Sequence, residues 1–167
     1  GDLVYRMYLE HEASFKSGDA SDDIAVACDY GSHLMKEMEL EIGGQRIDRQ
    51  YGHWHSVWSQ LTEKNSSGKS FGGTQDAGAG ETEGTLFQKM SGNGNSIESK
   101  TGDATNVDNI GGWTITQATA GAGAKASGKF WIPLYFWFCR NPGLALPLIA
   151  LQYHEVKVKI SFEKIAN

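Results

Sequence analysis

The chemistry this chain could perform rests on its histidines and its closely spaced acids. His53 and His55 flank Trp54. On a strand, two imidazoles at that spacing would point to one side and could hold a metal ion, as in metal-dependent β-barrel enzymes. On a helix, positions i and i+2 lie about 200° apart and cannot share an ion. No glutamate follows at the spacing such a metal site needs, because Ser59 and Gln60 stand there. Glu37, Glu39 and Glu41 alternate with Met38, Leu40 and Ile42, which puts the carboxylates on one face of a strand. That face reads as solvated rather than as a cation site. His154 and Glu155 are adjacent, so on a strand they face opposite ways and form no acid–base dyad.

Glycine-rich motifs fail for lack of context. Gly68-Lys69-Ser70 ends like a phosphate-binding loop, but position 63, where the first glycine belongs, is Glu63. Gly121-Ala-Gly123-Ala-Lys-Ala126 satisfies a dinucleotide fingerprint in letters only, since a strand rather than a helix follows it. Cys28 and Cys139 lack the spacing of a zinc knuckle or a disulfide framework. Asn65-Ser66-Ser67 is an N-glycosylation acceptor triplet, which makes Asn65 a candidate modification site. No constellation here supports catalysis, and no cofactor is expected.

The elements that would position these residues are mostly strands. Val156, Val158, Ile160 and Phe162 alternate with Lys157, Lys159 and Ser161, a half-buried strand like that of Glu37–Ile42. Phe130–Cys139 is apolar on both faces and predicts a strand covered on both sides. Leu3–Leu9 is a weaker strand. Gly43-Gly44 supplies a turn. Tyr51, Trp54, Trp58 and Leu61 fall on one helical stripe, predicting a helix capped by Asp48 that buries those aromatics and leaves both histidines partly exposed. A short helical turn is expected within Leu144–Leu151, after Asn141-Pro142-Gly143.

Composition narrows the function further. The 167 residues include 15 Lys+Arg against 20 Asp+Glu, a net charge of −5 without a basic run. Direct nucleic-acid binding is therefore not expected, since it needs clustered positive charge. The longest apolar stretch, Phe130–Leu151, contains Arg140, Asn141 and three prolines, so no membrane span is expected. The opening Gly-Asp-Leu-Val-Tyr carries neither a basic nor an apolar leader and reads as the interior of a longer chain. Residues 64–128 hold 14 of the 21 glycines and few large apolar side chains. They read as one long surface excursion, with strand-like pieces only at Thr85–Lys89 and Trp113–Gln117.

Two stretches are more specific than any of these motifs. One is Glu39-Leu-Glu-Ile-Gly-Gly-Gln-Arg-Ile-Asp48, leading into Gly52-His-Trp54 and Trp58-Ser-Gln-Leu-Thr62. The other runs from Phe130-Trp-Ile-Pro through Asn141-Pro-Gly-Leu-Ala-Leu-Pro-Leu-Ile-Ala-Leu-Gln-Tyr-His-Glu to Lys157. Both resemble the major capsid protein family of nucleocytoplasmic large DNA viruses. The resemblance implies an all-β fold with short helices, an antiparallel jelly-roll sandwich that is a fragment of a double jelly-roll protein. Residues 1–167 would be a partial N-terminal roll holding strands C to F, at Leu3–Glu12, Glu37–Ile42, Lys129–Cys139 and His154–Phe162. The 64–128 excursion would join D to E on the outer face.

What the resemblance implies for function is a structural subunit of the virion's capsid shell and no enzyme. Copies would trimerise into pseudo-hexagonal capsomers that tile an icosahedral shell and contact minor capsid proteins. Trp54, Trp58, Trp131, Tyr135 and Trp137 are the candidate packing or interface residues. Two rival readings remain open. One is a lectin-like jelly roll whose loops bind host-surface glycans, and the other is a cupin-type metal enzyme using His53 and His55.

Overall fold

The computed structural model describes residues 2–18, 25–26, 29–64, 85–93, 97–98, 108–110, 113–116 and 123–164. Eleven strands are formed among them: β1 (Leu3–Val4), β2 (Tyr8–Lys16), β3 (Ala25–Val26), β4 (Met35–Ile42), β5 (Gln45–Tyr51), β6 (Ile97–Glu98), β7 (Asp108–Ile110), β8 (Trp113–Thr116), β9 (Lys125–Pro133), β10 (Leu146–Pro147) and β11 (Val156–Phe162). The helices are short: α1 (Tyr30–His33), α2 (Gly52–Thr62), α3 (Leu86–Ser91) and α4 (Trp137–Arg140), with 3₁₀ turns at Pro142–Leu144 and Leu148–Leu151. The chain is mainly β, as expected. It folds into two units, one of residues 1–9, 32–61 and 133–167, the other of residues 10–31 and 62–132.

The first unit is built on the sheet β11-β4-β5. Gly43 and Gly44 have φ of +60° and +82°, as a two-residue hairpin turn requires, and they fold β5 back on β4. That hairpin corrects the assignment of Asp48 as a helix cap: it lies within β5, opposite Leu40. β11 pairs with the other edge of β4, Val158 opposite Leu40 and Lys159 opposite Glu39. One face of β4 buries Met38 and Leu40. The other carries a ladder of ion pairs, in which Glu39 meets Arg46 at 2.8 Å, Glu37 meets Arg49 at 2.5 Å and Glu41 meets Lys159. The glutamate face thus lies half-buried under basic side chains from both neighbouring strands rather than bare in water.

The aromatic run enters this unit as an irregular segment. The strand expected over Phe130–Cys139 ends at Pro133, because proline cannot donate to a ladder, and only Trp137–Arg140 turns helical afterwards. It is not covered on both sides: Phe130 and Ile132 are buried while Trp131 between them is exposed. Beyond Pro133 the alternation continues, with Leu134, Phe136 and Phe138 buried and the Phe136 and Phe138 rings stacked at 5.8 Å. The helical turn expected within Leu144–Leu151 is two 3₁₀ turns separated by β10. β10 pairs with β1, and the Leu148 amide donates to the Asp2 carbonyl at 3.1 Å.

The second unit holds the sheet β2-β9-β8-β7 and the short pair β3-β6. Its core is aromatic: Trp113 and Phe130 meet at 4.8 Å between ring centres, and the Tyr30 ring lies edge-on to Trp113 at 4.9 Å. Strand β8 was expected, and Trp113 within it is buried. Parts of the glycine-rich excursion therefore supply core as well as surface. Thr85–Lys89, expected as strand-like, lies instead at helix α3, where the Thr85 side chain accepts from the Gln88 amide and the Gln88 side chain accepts from the Thr85 amide. Gly92 ends α3 at φ +66°, against the Phe130 ring. The strand expected over Leu3–Glu12 is split into β1 and β2.

Candidate functional site

Helix α2 forms where the sequence places it but turns the opposite way. The buried residues are Gly52, His55 and Ser59, while Trp54 is 37% exposed, Val57 38% and Leu61 73%. Trp58 is half-buried. The stripe expected to pack inward is the outward face. The cause is steric and polar. A Cβ on Gly52 would lie 2.1 Å from the Met35 carbonyl oxygen and 2.2 Å from that of Ser32, so the backbone here approaches closer than any side chain permits.

His55 completes the lock. Its Nε2–H donates to Gln50 Oε1 at 3.1 Å. The Gln50 amide in turn donates to Asp48 Oδ2 at 3.1 Å and to the Tyr135 carbonyl at 3.0 Å. Both Gln50 N–H groups are thereby used, so its oxygen must face a donor, and that selects the His55 tautomer. His55 Nδ1 is left buried with no hydrogen bond among the described residues. Burial pushes the imidazole down to about 4, so it is neutral near pH 7. The expectation that both histidines are partly exposed is corrected for His55. His53 is exposed on a different face of α2, so the two do not converge on one ion.

The other candidate residues are dispersed. Trp54 and Trp58 pair at 5.5 Å between ring centres, and the Arg140 guanidinium lies 4.5 Å above the Trp58 ring. Tyr135 is half-buried beside His55, with ring centres 5.0 Å apart. Trp137 is half-buried, edge-on to Phe138 at 5.4 Å. Trp131, 39% exposed, belongs to the second unit, where Lys129 reaches over its ring and pairs with Glu10 at 2.6 Å. Asn65 lies outside the described residues. Sequence reasoning missed the Gln50–His55 pair. A glutamine at a core-facing strand position, five residues before a histidine, was the available signal.

These features define a β-sheet protein whose notable outward side chains are aromatic and cation-flanked. The Major capsid protein N-terminus family matches residues 1–167, and the chain belongs to that family. It is 38% identical to the major capsid protein of Pyramimonas orientalis virus over 100% of this chain and 32% of that protein. It is also 38% identical to the major capsid protein of Phaeocystis pouchetii virus, over 99% of this chain and 30% of that one. The major capsid protein of Paramecium bursaria Chlorella virus 1 is 32% identical over 95% of this chain and 26% of its own length. The chain thus spans about a third or less of these relatives. A quasi-atomic model of the PBCV-1 virus capsid overlays 97% of this chain and 37% of that chain, with a TM-score of 0.47 and 22% identity.

Proposed function

We propose that this chain is the N-terminal part of a structural capsid subunit, located in the virion shell and acting by self-association rather than catalysis. The observation that carries the reading is the family match over every residue from 1 to 167. The sheets agree with it. β11 and β5 at the edges of one sheet, and β2 and β7 at the edges of the other, have no further ladder partner among the described residues. A jelly roll supplies such partners from strands distant in sequence. Residues 1–167 are then strands C to F of a first roll, with the segment between D and E contributing core at Trp113. Three copies form a capsomer of pseudo-hexagonal outline, which tiles the shell and rests on minor capsid proteins. Antibodies raised against this chain should decorate the surface of intact particles in electron micrographs. Labelling only of disrupted particles, or of none, would overturn the shell assignment.

A further inference from the structure

We propose that His55, Gln50 and Tyr135 form a pH-sensitive latch within the first unit: a proton on His55 frees helix α2 from β5 and from the segment around Tyr135, while the β11-β4-β5 sheet stays paired. The latch joins three stretches of chain. His55 Nε2–H donates to Gln50 Oε1 at 3.1 Å, which ties α2 to the end of β5. Gln50 Nε2 donates to the Tyr135 carbonyl at 3.0 Å, which ties β5 to the segment beyond Pro133. The Tyr135 ring lies against the imidazole, with centres 5.0 Å apart. This arrangement suits a neutral imidazole only. Nδ1 is buried and makes no hydrogen bond among the described residues. In the neutral ring it is a bare acceptor, a tolerable cost, but in the cation it is a charged donor with no acceptor in place. His55 is already 1% exposed within residues 1–167, so further polypeptide can cover the site but cannot reach Nδ1 without opening it.

The charges around the ring do not rescue the cation. From β5, the half-buried Asp48 carboxylate meets Gln50 Nε2 at 3.1 Å rather than His55. Arg49 and Tyr51 point to the other face of that strand, where Arg49 pairs with Glu37. From the segment after Pro133, Arg140 Nε donates to the same Tyr135 carbonyl at 3.4 Å and adds a fixed positive charge. From the start of β4, the Ser32 and Met35 carbonyls close on Gly52, and both side chains are uncharged. On α2 itself, Ser59 is buried with its hydroxyl donated to the Ser56 carbonyl, and His53 is exposed on a different face. Burial therefore sets the balance and holds the imidazole down to about 4. Once α2 lifts, the ring meets water and regains its ordinary 6.5. A gap of about 2.5 pH units favours the open form about 30-fold more at pH 5 than at pH 7.5, and about 300-fold more below pH 4. Gly52 stays clamped between its two carbonyls, so the helix beyond it is the part released.

Amide hydrogen exchange of the full-length protein, read by mass spectrometry from pH 7.5 to 5 and divided by the intrinsic rate at each pH, tests this. Amides of residues 55–62 should exchange about 30-fold faster at pH 5 than at pH 7.5, while those of β4 and β11 keep their protection. His55→Gln keeps a donor for Gln50 and cannot titrate, so α2 should stay closed across the range. His53→Gln alters an exposed ring on another face of α2 and should respond as wild type does. Exchange of the imidazole C2 hydrogen follows each histidine's own titration without any substitution, and so decides the matter even if the His55 variant fails to fold. His55 should titrate below its ordinary 6.5. The latch is overturned if α2 exchange does not change with pH, or if α2 and β4 lose protection together. It is equally overturned if His55→Gln opens as wild type does, or if His55 titrates at 6.5 or above.

Discussion

Acid should loosen the first unit through His55 before it acts on the carboxylates. The imidazole is 1% exposed, donates through Nε2 to Gln50 and presents a buried, unbonded Nδ1. Its folded value of about 4 lies below the ordinary 6.5 because burial penalises the cation. The unfolded chain therefore binds this proton more readily than the folded one between those values. Stability is full above about pH 6.5 and falls as pH drops toward 4, where the folded form also protonates. A difference of about 2.5 pH units at 1.36 kcal/mol each gives a loss of about 3 kcal/mol. The carboxylates of Glu10, Glu37 and Glu41 are held low by Lys129, Arg49 and Lys159, so their contribution is lost only below their ordinary value of 4.5. Urea unfolding at pH 7, 6, 5 and 4, followed by tryptophan fluorescence, measures the sum. His55→Gln keeps a donor for Gln50 but cannot titrate. It should flatten the curve between pH 6.5 and 4 by about the same 3 kcal/mol. If wild type and variant lose stability in parallel across that window, the neutral buried histidine is refuted.

Three further substitutions probe the packing. Gly52→Ala should destabilise by about 3 kcal/mol or more, because its Cβ meets two backbone carbonyls that cannot swing aside; a urea midpoint near wild type would mean α2 does not start against β4. Trp113→Ala should cost about 3–5 kcal/mol and abolish near-ultraviolet dichroism from the second unit's aromatic cluster, whereas a glycine-rich segment lying only on the surface would lose almost nothing. Thr85→Ala removes one half of the α3 capping box and should cost about 1 kcal/mol, read by chemical denaturation, with Thr85→Ser restoring most of it.

Local patterns were legible wherever the backbone decides alone. The alternation in Glu37–Ile42 and Val156–Phe162 predicted β4 and β11 nearly to the residue, because period two is imposed by strand geometry. Gly43-Gly44 announced a turn because both positions need positive φ. The family, too, was readable in the linear order of two long motifs. The capping box of α3 was equally present in the letters Thr85 to Gln88, yet the glycine-rich setting led to a strand-like reading.

Orientation and pairing were decided only in three dimensions. Hydrophobic periodicity located α2 but pointed the wrong face inward, since it counts apolar side chains and cannot register a backbone approach of the kind Gly52 makes. The Glu37–Glu41 face read as open water because Arg46, Arg49 and Lys159 come from two other strands, whose register no local pattern contains. Trp113 read as a strand-like piece of a surface excursion because its core partners, Tyr30 and Phe130, lie far away in sequence. Sequence alone thus determined strands β4 and β11, the turn between β4 and β5, the position of α2 and the family they belong to. Tertiary structure decided which side chains are covered, because burial depends on neighbours that only the folded chain brings together.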